Sequence, residues 1–357
     1  MIEIVGLNKK QLKGFTTSEA FGKFEFAPIS ELREISHIAN PRATDDDILL
    51  FLAYEGEELT GYLGILPDDI AKPNGEVFHF GWFSTLYVSE KHRGKQIAQK
   101  LLYAAEAAYN GRMMITEFTD SAHGLYKKIG LFDDLAPKQA VRYYFKSNLA
   151  EILPAKKEVF NRNKKWILRF DKLINPVIPY LSKSSKLSYS VTSDWDKDLQ
   201  NFIDKQIKNP LYRSSREFEW ILRYPWLSTQ KEQPNYLFSS FSKSYQMFWV
   251  KLYENGILTT CFLCSIRNSH LKVLYYFADD ISKVAISLPA IIKSYKVKMM
   301  TIYDDQLNNE LAKGNSVKAL YKRYFKRNYL ITKTLRQELG SDFRYEFADG
   351  DGDFSFT

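Results

Sequence analysis

Apolar residues along this 357-residue chain fall into short strand-like runs and longer stretches of helical spacing, and their order predicts the architecture. Pro28 to Ile38 reads as a helical segment closed at Asn40-Pro41, because the residue before a proline is held out of the helical region. Ile48 to Tyr54 and Leu59 to Leu66 read as a hairpin turning at Glu55-Gly56-Glu57-Glu58. Pro67 and Lys72-Pro73-Asn74-Gly75 are expected in the following loop, and Val77 to Val88 as a long third strand with a bulge at Gly81. From Lys95 to Tyr109, the residues Ile97, Leu101, Ala104, Ala105 and Ala108 share one face, which predicts a helix packed on a sheet. Asn110-Gly111 ends it. Met113 to Phe118 then reads as a strand, Ser121 to Lys128 as a short helix stopped by Gly130, and Val141 to Lys146 as a closing strand. Hairpin, long strand, helix, strand, helix, strand is a mixed α/β layer.

Between 147 and 189 the pattern changes. Over Ala155 to Ile174 the apolar positions Phe160, Ile167, Phe170 and Ile174 keep helical spacing, while Lys156, Lys157, Arg162, Lys164, Lys165, Arg169 and Lys172 oppose only Glu158 and Asp171. Seven cations less two carboxylates leaves +5 on residues 155–174. The plain reading is a solvated connector whose apolar stripe docks between domains. The alternative is a basic amphipathic helix making peripheral contact with an anionic membrane or holding an acidic partner. After the Ser182-Lys183-Ser184-Ser185-Lys186 linker the first pattern returns: Gln246 to Tyr253 and Ile257 to Ile266 form a hairpin around Glu254-Asn255-Gly256. Leu271 to Ala278 follows as a strand, Ser282 to Tyr295 as a helix and Val297 to Tyr303 as a strand, a diverged second copy of the first fold.

Composition sharpens this picture only in places. A chain of this length exceeds what one core organises, so two domains are expected. An apolar share of 45% and a charged share of 26% are ordinary for a globular protein, while 15% aromatics fits aromatic-lined clefts or a sheet-rich core. The net charge, 50 basic less 42 acidic residues, is +8, which suits an anionic ligand, a membrane surface or nucleic acid. Cys261 and Cys264 form a CxxC inside an apolar strand-like run, where residues three apart point to opposite faces, so they read as core residues and no metal is expected. No stretch approaches the roughly 18 apolar residues of a membrane span, and MIEIVGLNKK does not read as a signal peptide. A cytoplasmic protein is expected, with attachment to the inner membrane face as the variant that 155–174 would permit. The acidic tail Asp349-Gly350-Asp351-Gly352-Asp353 lacks the later glutamate of a calcium loop and reads as a turn before a short strand, Phe354 to Phe356.

The chemistry concentrates between Trp82 and Leu102. A strand stops at a charged loop holding one glycine, Gly94, and an amphipathic helix starts at once, so unpaired backbone N–H groups and the positive end of the helix dipole converge on one point. A pyrophosphate suits such a cradle, with Arg93 and Lys95 adding positive charge. The second copy carries Asp279-Asp280-Ile281-Ser282-Lys283 at the same place, and two carboxylates there argue against an anion site.

Leu86-Tyr87-Val88, then Arg93-Gly94-Lys95-Gln96-Ile97-Ala98 and the Leu101-Leu102 helix, resemble the acetyl-CoA motif of the GNAT superfamily of acyl-CoA-dependent N-acyltransferases. Ala122, Tyr126, Lys128, Gly130 and Phe132 are similar to that family's next motif, and the resemblance covers about residues 48–146. Gln96 departs from it where glycine or alanine is usual, Lys91 where glutamine or arginine is usual, and Thr119 where asparagine often sits. The resemblance implies two GNAT-like α/β (α+β) domains, each a mixed central sheet flanked by helices. Their expected limits are 1–146 for the acetyl-CoA-binding domain, 147–189 for the basic helix and linker, and 190–357 for a degenerate copy that binds the acceptor or is structural.

It further implies acetyl-CoA as co-substrate, with the N–H and C=O groups of Leu86 and Val88 holding the pantetheine arm like an added strand. By the same resemblance Tyr126 is the acid that protonates the leaving thiolate. Glu117, at the end of its strand, is the candidate base, directly or through a water, with an exposed strand-end carboxylate as the plain reading. His79 reads as a satisfied core residue, and His92 and His123 as surface residues. Trp220, Tyr224 and Trp226 read as either acceptor cleft or interface core. The implied function is N-acetylation of a primary amine by direct attack, the acceptor being an amino sugar, a peptide or a small amine, and nucleic acid is not an expected partner. Alternatives are a Fem-type aminoacyl or other acyl transferase, and a non-catalytic module that binds CoA.

Overall fold

In the computed structural model, which describes all residues except 154–157, 181–187, 207–210 and 315, the strand-like runs pair into two seven-stranded sheets. In chain order the strands are β1 (Ile2–Asn8), β2 (Ile48–Glu55), β3 (Glu58–Ala71), β4 (Val77–Val88), β5 (Met113–Thr116), β6 (Phe132–Asp134) and β7 (Lys138–Tyr144). They continue as β8 (Tyr189–Thr192), β9 (Tyr245–Glu254), β10 (Ile257–Arg267), β11 (His270–Ala278), β12 (Met299–Ile302), β13 (Tyr321–Arg327) and β14 (Tyr329–Thr332). One sheet is ordered β1-β2-β3-β4-β5-β14-β6 and the other β13-β7-β12-β11-β10-β9-β8. Read from β1 and from β8, the two orders are the same, and the sixth place in each is filled by a strand from a distant part of the chain.

Two compact units follow from this pairing. The first comprises Met1–Pro137, Asp194–Lys243 and Arg327–Thr357; the second comprises Lys138–Ser193 and Ser244–Lys326. Both are mixed sheets with flanking helices, the α/β class that the hydrophobic pattern predicts. The pattern draws contiguous domains, whereas the units are discontinuous because β7 and β14 each serve the sheet remote from their sequence neighbours. Val141 to Lys146 therefore does not close the first sheet. Val141 and Tyr143 pack in the second unit with Phe248 and Met300, and β7 runs antiparallel to β12. The apolar run Tyr329-Leu330-Ile331-Thr332, buried throughout, lies between β5 and β6 instead and is antiparallel to both.

In the first unit, Leu63, Ile65 and Phe83 lie under Ile97, Leu101, Leu102 and Ala105 of the helix Ile97–Ala108. Leu101 and Leu102 are fully buried, each stabilising the fold by about 1.5–3 kcal/mol. The opposite face of the sheet buries Leu50, Leu52 and Tyr62 with Leu12, Phe26 and Ile29.

Pro67 lies within β3 rather than in a loop. It faces Gly81, whose N–H is given to Arg112 O on the other side at 3.0 Å, and β2 pairs with β3 only as far as Leu50–Gly64. No ladder bond is asked of the proline nitrogen, and Asn40 Nδ2 donates to the Pro67 carbonyl at 2.8 Å. The bulge likewise falls at Ser84, where the register passes from Gly64–Thr85 to Ile65–Phe83, and not at Gly81. Gly81 is a close approach: a Cβ there would stand 2.5 Å from Ile65 Cγ2 and 3.2 Å from the Tyr109 ring.

Phe354–Phe356 is a 3-10 turn, not a strand, because both rings sink into the core of the first unit: Phe356 stacks on Trp226 at 4.7 Å and 11°. In the second unit, Cys261 and Cys264 are buried within β10, and burial pushes the Cys264 thiol well up. The basic stretch forms two helices, Glu158–Arg162 and Lys164–Ile174, broken at Asn163. Ala155, Lys156 and Lys157 and the Ser182–Lys186 linker lie outside the described residues. Among the described residues no helix is long and apolar enough to cross a membrane.

Candidate active site

The first unit carries an open wedge in its sheet. β4 and β5 pair in parallel only at Gly81–Met113 and Trp82–Met114, so among the described residues the edge of β4 beyond Trp82 has no strand partner on that side. Ser89 N–H is given to Thr60 O of β3 at 2.8 Å. Successive residues of a strand present their backbone groups to alternate sides, so the opposite set, Leu86 and Val88, aims at the wedge.

The point where the strands part is fixed by a buried ionic cluster. Asp68 accepts from Arg213 at 2.6 and 2.7 Å, from Arg42 at 2.8 Å and from Trp82 Nε1 at 3.1 Å. Burial raises its pKa, but Arg213 and Arg42 outweigh that and hold it at about 2. At the bulge, Arg33 donates to Ser84 Oγ at 2.8 Å and lies 4.0 Å over the Trp226 ring. Arg33, Asp68 and Arg213 escape sequence reasoning, because their partners are up to 193 residues away (226 less 33) and no local spacing marks them.

At the end of β4 the loop turns on two left-handed residues, Gly94 at φ 89° and Gln96 at φ 61°. A Cβ on Gly94 would meet nothing within 4 Å, so the glycine answers the backbone conformation and leaves the space in front of the loop clear. Gln96 is the N-cap of the helix Ile97–Ala108, and no side chain caps it. The first intrahelical donor is Lys100, to Gln96 O at 3.0 Å, which leaves the N–H groups of Ile97, Ala98 and Gln99 pointing out of the helix end. Three cations of the loop rest on nearby carboxylates: Lys91 on Glu25 at 3.0 Å, Arg93 on Glu90 at 3.3 Å and Lys95 on Glu55 at 2.5 Å. The hydrogen bond from Lys95 holds the Glu55 carboxyl low. Solvent-facing pairs of this kind are weak, so an arriving polyanion recruits the cations at little cost. His92 lies beneath the loop and is buried, 3.4 Å from Glu55 and 3.7 Å from Glu58, rather than at the surface.

Tyr126 projects from the helix Asp120–Ile129 into an aromatic box, with ring centroids 6.4 Å from Phe83, 5.9 Å from Phe118 and 5.5 Å from Phe132. Burial pushes its phenol well above the ordinary range, which keeps it protonated. Thr119, where the family often has asparagine, caps this helix through Oγ1, accepting from Ala122 N at 3.2 Å. Glu117, just past β5, adopts a left-handed φ of 51° and is mostly exposed, 3.8 Å from Arg327 Nε. Phe83 and Tyr126 meet in one cluster with Leu86 and Val88 at its margin, so the open edge and the phenol share one core. His79 is not a packed core histidine: it bridges Asp69 at 2.7 Å and Asp47 at 3.1 Å and is part-exposed. Trp220 and Trp226 are buried core of the first unit.

The equivalent place in the second unit is closed. β11 and β12 also part after three pairs, but Asp280 caps the helix Ile281–Ser294, accepting from Ser282 N at 2.9 Å and Ser282 Oγ at 2.7 Å. A carboxylate occupies the position an anion would need.

Residues 15–131 match the family model described as Acetyltransferase (GNAT) family. No curated protein matches the chain in sequence. Among solved structures, a GCN5-related N-acetyltransferase from Anabaena variabilis is similar at a TM-score of 0.55 and 7% identity, over 94% of this chain and 74% of that one. A Saccharomyces cerevisiae N-myristoyltransferase with bound myristoyl-CoA gives 0.52 and 10%, over 93% and 82%. A GCN5-related N-acetyltransferase from Kribbella flavida gives 0.51 and 9%, over 92% and 70%. At such identities the likeness is one of fold. Residues 15–131 thus form a domain of the acetyltransferase (GNAT) family, in a chain whose two mixed sheets both carry the GNAT-like fold.

Proposed function

We propose that the chain is an N-acetyltransferase that moves an acetyl group from acetyl-CoA to a primary amine in its first unit. The coincidence of an uncapped helix end with an open strand edge carries this reading: the loop and helix end at Gly94–Ala98 offer the N–H groups of Ile97 and Ala98 to a pyrophosphate, and Leu86 and Val88 offer a strand edge to the pantetheine arm, a few residues apart. The residues present fit that co-substrate, because the loop is clear in front of Gly94 and its cations are held only by exposed carboxylates.

In the reaction, a neutral amine adds to the thioester carbonyl, the C–S bond breaks, and the departing thiolate takes a proton from Tyr126. A phenol raised by burial is a weak acid toward a thiol whose ordinary pKa is about 8.5, yet the apolar box that raises the phenol also raises a thiol placed beside it. An N–H of the β4 edge polarises the carbonyl as charge develops. Glu117, exposed at the end of β5, takes the amine proton directly or through water. In this reading the second unit holds the acceptor or is structural, and its Asp280 cap argues against a second CoA site.

Thermal unfolding with acetyl-CoA tests the reading. A ligand at a hundred times its Kd stabilises by about 2.7 kcal/mol, which raises Tm by several degrees in a unit of this size. The expected result is such a rise, abolished in Arg93→Glu, together with free-thiol release when amino sugars, peptides and small amines are supplied. No rise at saturating acetyl-CoA overturns it. A rise that occurs only with a longer acyl-CoA keeps the transferase and replaces the acetyl group.

A further inference from the structure

The helix Lys164–Ile174 of the second unit carries two apolar stripes where a connector needs one. Ile167, Asp171 and Ile174, spaced i, i+4, i+7, turn inward. Asp171 is buried and fixes that side: it accepts from Ser147 Oγ at 2.5 Å, Leu149 N at 3.2 Å and Ala150 N at 2.9 Å. Trp166, Phe170 and Leu173, at the same spacing, form the second stripe and are 68%, 50% and 75% exposed. Phe170 is therefore not part of the inward stripe that its sequence spacing suggests, and Val177 extends the outward one past the helix end.

The flank of the outward stripe is cationic. Lys165, Arg169 and Lys172 are exposed on one side of it, with Arg162 and Lys164 just before, and the Arg169 guanidinium lies 4.9 Å over the Trp166 ring. Of the two carboxylates in this stretch, Asp171 faces inward, and Glu158 stands 3.8 Å from Arg162. Water thus meets a tryptophan, a phenylalanine and a leucine in a row, bordered by positive charge. An acidic groove on another protein would answer the cations but would need its own apolar floor. A bilayer with anionic headgroups answers both at once, since indole and phenyl rings settle at the headgroup boundary while lysine and arginine reach the phosphates.

We propose that the Lys164–Ile174 helix is a peripheral membrane-docking face for anionic phospholipid. It lies along the interface with Trp166, Phe170 and Leu173 inserted and Lys165, Arg169 and Lys172 on the headgroups. This docking is independent of the transferase reading and survives its failure.

The test is sedimentation of the full-length protein with sucrose-loaded vesicles of phosphatidylcholine, with and without phosphatidylglycerol. The expected result is binding to the anionic vesicles only, weakened as salt shortens the Debye length from about 10 Å at 0.1 M to about 3 Å at 1 M. The triple substitutions Trp166→Ser/Phe170→Ser/Leu173→Ser and Lys165→Glu/Arg169→Glu/Lys172→Glu each reduce binding more than about tenfold with Tm unchanged, because the altered side chains are exposed. Equal binding to both vesicle types, equal binding of wild type and variants, or no association at low salt overturns the proposal. So does light scattering that shows a dimer dissolved by the apolar variant, for then a second copy covers the stripe.

Discussion

At the residue scale, Tyr126 and His79 show opposite uses of burial. Tyr126 sits in an aromatic box with its phenol pushed up, the protonated form that a donor to a leaving thiolate requires. Tyr126→Phe is expected to keep acetyl-CoA binding and lower kcat by about 10²–10⁴-fold, the usual worth of a general acid, as read by thiol release. Unchanged turnover assigns the proton to another group. For His79, burial opposes the charge, but hydrogen bonds and charge from Asp47 and Asp69 outweigh it and raise its pKa to about 9. The folded value lies above the ordinary 6.5, so the stabilisation is complete below pH 6.5 and is lost as pH rises through about 9. Urea unfolding across that window should show falling stability in wild type and a flatter profile in His79→Gln. The motif residues Leu86 to Val88 and Arg93 to Ala98 were legible in sequence because they are contiguous. The ion pairs of His79, the burial of His92 and the contact of Arg33 with Ser84 were not, since each depends on residues brought together only by the sheet.

At the element scale, the helix Ile97–Ala108 was legible from its apolar face, and its entry was not. Gln96 departs from the small residue usual in the family and adopts a left-handed backbone, a conformation that costs a non-glycine residue about 1–2 kcal/mol. Gln96 keeps its backbone N–H and the Ile97 and Ala98 donors follow it, so the departure strains the loop without removing the cradle. Gln96→Gly is expected to raise Tm by about 2–4 °C, once the entropic cost of glycine is set against the relieved strain, with acetyl-CoA binding retained. A lower Tm means that the glutamine side chain itself stabilises the loop. The neighbouring strand shows why turn residues mislead: Pro67 reads as loop punctuation, yet it falls where the ladder asks for no donor. The bulge at Ser84 leaves no compositional trace, since serine is not a residue that demands one.

At the scale of the whole molecule, the repeat was visible and the exchange of strands was not. Both Val141 to Lys146 and Tyr329 to Thr332 are short apolar runs, and periodicity gives no preference for which sheet each joins. What decides is burial at every position: β14 pairs with β5 and β6 at once, and its polar side chain Thr332 is satisfied by the Met113 backbone. A fragment of residues 1–189 lacks β14, the 194–243 segment with Arg213 and Trp226, and the 327–357 tail, so Asp68 is left with a weakened cluster and β5 with an open edge. Such a fragment is expected to unfold without a cooperative transition and to aggregate, as followed by circular dichroism and light scattering. A soluble fragment with a sharp transition would show that the first unit needs neither segment.

The repeat also makes the central claim measurable. Two copies of one fold present the same wedge, but a bare helix end follows it only in the first, while Asp280 occupies the second. Isothermal titration calorimetry of acetyl-CoA into the full-length protein should therefore give a stoichiometry of one per chain, with heat lost in Arg93→Glu and unchanged in Asp280→Ala. A stoichiometry of two, or binding that survives Arg93→Glu, would contradict the assignment of the co-substrate to Gly94–Ala98.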